Sequence, residues 1–75
     1  MERYKNLNGN SGIASFEIRH DSIVVQFKNH STYLYNAQVT GRDHIEEMKK
    51  LAQSGQGLAT YISRYVRDKY AAQLK

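Results

Sequence analysis

Seventy-five residues suffice for one domain and leave no room for a second core. With 40% hydrophobic residues, 24% charged residues and a formal net charge of +4, the composition is that of a folded globular chain rather than a disordered one. No apolar run approaches the eighteen or so residues of a membrane helix, Glu2, Arg3 and Lys5 stand where a secretory leader would begin, and the absence of cysteine excludes disulfides, thiolate zinc sites and a thiol nucleophile. These features lead us to expect a cytoplasmic protein without membrane contact. A chain of this length has roughly 4–11 kcal/mol of folding stability, so loss of one core aromatic, at about 3–5 kcal/mol, removes much of it.

Residues 1–10 read as a flexible polar arm leading into the turn Asn8-Gly9-Asn10-Ser11-Gly12, with a single domain from Ser11 to Lys75. Three short strands follow. Ala14, Phe16 and Ile18 alternate with Ser15, Glu17 and Arg19, and Ile23, Val25 and Phe27 repeat that period of two. A two-residue hairpin at Asp21-Ser22 sets Ile18 opposite Val25 and Phe16 opposite Phe27. Tyr33 and Tyr35 form the third alternation. A two-residue loop at Asn29-His30 turns both tyrosines to the outer face, whereas a three-residue loop, Lys28-Asn29-His30, pairs Val25 with Tyr33 and Ile23 with Tyr35 and turns them to the core. The second arrangement needs positive φ at His30 alone and is the less strained.

From Thr40 the period lengthens. Ile45, Met48, Leu51 and Ala52 make one stripe of an amphipathic helix, with Thr40 at its cap, Asp43 in its first turn, Glu46 placed to pair with Lys50, and Gly55 as its stop. After Gly55-Gln56-Gly57, a second helix over the remaining eighteen residues, about 27 Å long, carries Leu58, Tyr61, Ile62, Tyr65 and Val66 inward. The fold class is therefore α+β: a three-stranded antiparallel β-meander followed by two α-helices packed on one face. The outer strands of such a sheet leave edges that need cover or a partner.

No catalytic constellation assembles from these residues. His20-Asp21-Ser22 contains the residue types of a hydrolase triad, but consecutive residues in a hairpin point apart, so turn chemistry is expected. His44 and Glu47 share a helix face without a second ligand pair, so no metal site is expected. Gly55-Gln56-Gly57 lacks the preceding strand and the lysine of a phosphate-cradling loop. We expect no enzyme activity and no cofactor. Charge is more informative: the chain from Leu58 onward carries Arg64, Arg67, Lys69 and Lys75 against Asp68 alone. Arg64 and Arg67 fall on the helix side away from Leu58 and Ile62, where guanidinium groups suit phosphate. Arg64, Arg67 and Lys75, extended by Arg19 and Lys28, are the candidate nucleic-acid contacts. A plain solvated helix face is the bland alternative.

The order of these elements resembles the KTSC domain, a small module of stand-alone bacterial proteins and of the C-terminus of some lysyl-tRNA synthetases. The resemblance rests on Asn10-Ser11-Gly12-Ile13-Ala14 entering the first strand, on Val24-Val25-Gln26-Phe27, and on Tyr33-Leu34-Tyr35, which matches that family's Tyr-x-Tyr. A helix-Gly-helix tail with Val66-Arg67-Asp68-Lys69-Tyr70 completes it, from Ser11 to Tyr70. The chain departs from the pattern at His30, at Thr40 and in the Ser54–Gly57 turn. The resemblance implies a non-catalytic module and points toward RNA. The partners to expect are RNA, an acidic protein, or a second copy of the chain meeting an exposed strand edge or an outer-face patch of Val24 and Leu34.

Overall fold

Alternating apolar residues separated by short polar turns pair into antiparallel hairpins, and here they do so in strict chain order. The computed structural model describes residues 1–75 except Asn8 and Asn10, so those two asparagines of the expected turn lie outside the described residues. The elements are β1 (Glu2–Arg3), β2 (Ile13–Ile18), β3 (Ser22–Phe27), β4 (Thr32–Asn36), α1 (Arg42–Ser54), α2 (Leu58–Tyr61) continuing into a π-helical segment (Ile62–Val66), and β5 (Ala72–Gln73). The five strands form one antiparallel sheet in the order β1-β2-β3-β4-β5. The α+β class and the helices on one sheet face match the sequence expectation; the sheet has five strands, not three.

The β3–β4 register pairs Ile23 with Tyr35 and Val25 with Tyr33, as the three-residue loop requires. His30 alone in that loop has positive φ, at 73°. Tyr35 is thereby sealed in the core with Phe16, Ile23 and Val25. The β2–β3 turn differs from expectation. Ile18 pairs with Ile23 and Phe16 with Val25, because the turn residues are His20 and Asp21 and Ser22 already belongs to β3. The slip is two residues, so each side chain keeps its face. A bulge between Ile13 and Ser15 makes a second change. The extra residue at Ala14 puts Ile13, three positions from Phe16, into the core, which strict alternation forbids.

Both sheet edges are closed in part by the chain's own ends. Glu2 and Arg3 pair with Phe16 and Ser15, after which Tyr4, only 4% exposed, drops into the core. Its amide donates to the Ala14 carbonyl at 3.0 Å. Its hydroxyl accepts the Leu58 amide at 3.3 Å. The segment expected as a polar arm thus contributes a strand and a core aromatic. At the other edge, Tyr33 and Leu34 pair with Gln73 and Ala72.

In α1, Ile45, Met48 and Ala52 are buried and Leu51 partly so, and Gly55 ends the helix in the left-handed conformation. Thr40 does not cap it. Gly41 takes the cap position, and the Thr40 hydroxyl donates instead to the Lys69 carbonyl at 2.6 Å. Glu46 meets Lys49 at 3.9 Å rather than Lys50. The second helix is far shorter than expected. It stops after Val66, and the chain turns back so that the Ala71 amide donates to Leu34 at 2.7 Å and the Tyr70 ring packs on Tyr33. Hydrogen bonding from i to i+5 uses more residues per turn than an α-helix. Val66 accordingly stays buried over Ile62, while Tyr65, expected inward, is 52% exposed.

Two measurements check this packing. Tyr4→Ala is expected to lower unfolding free energy by about 3–5 kcal/mol in urea titration, against less than about 0.5 kcal/mol for the exposed-site change Val39→Ser. Burial, helped by the neighbouring Tyr33 and Tyr70, pushes the Tyr35 hydroxyl up from 10.0 to about 12. The unfolded chain ionises first, so stability from a neutral Tyr35 is whole below pH 10 and is lost as pH rises through about 12. A urea midpoint that falls over this window in the parent and less so in Tyr35→Phe is the expected result.

Candidate nucleic-acid interface

Successive hairpin turns lie at opposite ends of a meander, so the basic residues sort into two groups. Arg19 sits at the β2–β3 turn, and Lys28 sits in the β3–β4 loop at the far end of β3. Arg19 is engaged by Glu17 at 2.7 Å, and this bond, with the guanidinium charge, holds the Glu17 carboxyl below its ordinary range. The pair is exposed and contributes little stability, but it occupies the Arg19 guanidinium with a carboxylate. Arg64 and Arg67 are exposed on the π segment and just after it. They do not line the depressions described below.

The remaining candidates meet at the β3–β4 end. Lys28 donates its amide to Gly12 at 2.8 Å, and the Lys75 carbonyl accepts from Thr32 at 3.1 Å, which brings both residues to the same rim. A depression of about 660 Å³ opens there between β1 and the start of β2. Arg3, Lys5 and Lys28 line it together with Tyr4, Asn6, Leu7, Ile13 and Ala14. A second hollow, of about 460 Å³, shares Lys28 and is walled by Gly12, Phe27, Asn29, Ser31 and Tyr33. Among the described residues no carboxylate lines either one, and the ion pairs are Glu17–Arg19 and Glu46–Lys49. Three cations therefore face one concavity without a compensating anion.

Arg3 and Lys5 are not among the residues expected from sequence. The available signal is Arg3-Tyr4-Lys5 itself, where a basic–aromatic–basic alternation marks a short strand with its ring inward. Their position depends on Gly55. The Leu7 amide donates to the Gly55 carbonyl at 2.7 Å, Gly55 has φ 82°, and a Cβ there would lie 2.6 Å from the Lys5 Cβ. Only glycine lets the strap carrying Arg3 and Lys5 close over the interhelix turn.

The tyrosines of the Tyr-x-Tyr motif divide. Tyr35 is buried, whereas Tyr33 reaches the second hollow, edge-to-face with Phe27 at 5.7 Å and against Tyr70 at 4.8 Å. Val24, the centre of the expected outer-face patch, is only 3% exposed between its cross-strand neighbours Glu17 and Leu34. His44 bonds the Tyr61 hydroxyl at 2.7 Å. Among the described residues no three metal-binding side chains cluster, and no helix is long and apolar enough to cross a membrane. No protein-family model, no curated protein and no solved structure matches the chain.

Gly55→Ala tests how the interface is held. Left-handed backbone strain of about 1–2 kcal/mol, with the clash added, is expected to lower stability by about 2–4 kcal/mol in urea titration. Amide shift changes should centre on residues 3–7.

Proposed function

We propose that this protein is a small non-catalytic module that binds nucleic acid, with RNA as its ligand class, through the β3–β4 end of its sheet. The observation that carries this reading is the convergence of Arg3, Lys5 and Lys28 on one concavity, next to an aromatic hollow and with no carboxylate in its lining. Exposed cations at a groove supply the sequence-independent attraction to a phosphate backbone. Lys75, at the same rim, extends the strip. Across the sheet from β1 to β5 there are four inter-strand steps of about 4.8 Å, roughly 19 Å in all, enough for an extended backbone to touch several of these cations. The resemblance to KTSC domains points to RNA, and Arg64 and Arg67 form a separate exposed pair open to flanking phosphates. The protein-interaction alternative draws less support, because β1 and β5 occupy part of each edge and Val24 is covered.

Fluorescence anisotropy with a labelled RNA oligomer at 50 and 200 mM salt tests the proposal. Affinity is expected to fall steeply with salt. The Arg3→Ala/Lys5→Ala/Lys28→Ala variant should weaken binding at least tenfold and flatten the log–log slope by about 0.7 for each phosphate it no longer neutralises. Absence of binding at the lower salt, or weakening only in Arg64→Ala/Arg67→Ala, overturns the assignment to this groove.

A further inference from the structure

The two depressions share Lys28, but they differ in chemistry: one is cationic and the other is aromatic and otherwise uncharged. We infer that the hollow lined by Phe27 and Tyr33 seats one unpaired nucleobase, so that the ligand is a single strand whose phosphate runs past Lys28 toward Arg3 and Lys5. The inference rests on the nucleic-acid reading above and narrows it to single-stranded ligands.

Four observations support it. The hollow, at about 460 Å³, lies within the size range of small-ligand sites. Its rings are packed against protein neighbours, Tyr33 edge-to-face with Phe27 at 5.7 Å and tilted against Tyr70 at 4.8 Å. Base stacking on such a ring tolerates any sequence, since every base has a π face. The third concerns the loop, where the His30 amide donates to the Phe27 carbonyl at 3.0 Å and the Asn29 Oδ1 accepts from the Ser31 amide at 3.0 Å. This fixes the Asn29 amide with its NH₂ donors still available to a base edge. Last, Gly12 lines the hollow and a Cβ placed on it meets nothing within 4 Å, so a side chain can be added at this wall without a clash. A paired base inside a duplex cannot enter such a site, whereas a splayed single-stranded base can.

The test compares three labelled probes of equal length at 50 mM salt: a single strand, a blunt duplex and an abasic single strand. The single strand is expected to bind at least about fivefold tighter than either of the others. Tyr33→Leu should cut single-strand affinity about 5- to 150-fold, the range for one stacked base, while leaving abasic binding unchanged. Gly12→Leu, which fills the hollow from an unstrained position, should do the same and serves if Tyr33→Leu does not fold. Equal binding of all three probes, together with no effect of Gly12→Leu, overturns the base seat and leaves the electrostatic reading standing. No binding of any probe overturns both.

Discussion

A small antiparallel sheet has two edges whose amides and carbonyls must find partners, and here residues 2–3 and 72–73 supply some of them. The two-residue strands β1 and β5 answer that need. A few backbone hydrogen bonds at about 1 kcal/mol net do not hold a terminus against chain entropy. Each short strand is therefore anchored by a neighbouring aromatic. Tyr4 is buried beside Phe16 and Ile13, and Tyr70 lies against Tyr33 and Tyr35. Ring burial at Tyr4 and ring-on-ring packing at Tyr70 do the holding, and the hydrogen bonds set the register.

Closing the edges also gathers charge. The termini carry Arg3, Lys5 and Lys75, so seating them on the sheet delivers these cations to the end where Lys28 stands. The acidic residues Asp43, Glu46 and Glu47 are carried away on α1, and Glu17 is engaged by Arg19. A net charge of only +4 becomes a locally unopposed cationic groove. Gly55 is the hinge of the arrangement: it ends α1, and its missing side chain is the space that Lys5 and Leu7 occupy.

The aromatic residues serve two purposes in the same way. Tyr35 fills the core under α1, while Tyr33, two residues earlier on the same face, lies beyond the cover of the helices and reaches the hollow. The π segment acts similarly on the helix side. Its extra residue per turn keeps Val66 inward and turns Tyr65 out, leaving His44 and Tyr61 hydrogen-bonded between α1 and α2.

Much of the framework is legible in the residue order. Alternation locates β2, β3 and β4, the three- and four-residue spacing locates α1 and its stop at Gly55, and the strain argument at His30 chooses the β3–β4 register. These are local matters: side-chain period, turn geometry and left-handed backbone angles act within a few residues. Local rules miss the bulge at Ala14, the two terminal strands and the early end of the second helix. Residues 67–75 contain no glycine or proline, and Ala71, Ala72 and Leu74 favour a helix by propensity. They leave it because the open edge of β4 accepts backbone hydrogen bonds from Ala71 and Leu74 while the Tyr70 ring packs on Tyr33. The full set of groove residues escapes the sequence for the same reason. Lys28 and Lys75 follow from charge alone, but Arg3 and Lys5 become neighbours of Lys28 only after Tyr4 has found its place beside Leu58, more than fifty positions along the chain. The sequence alone determined the periods, the turns and the overall positive charge; the tertiary structure decided which cations share a groove, because the long-range burial of Tyr4 and the packing of Tyr70 on Tyr33 outweigh the local preferences of the segments that carry them.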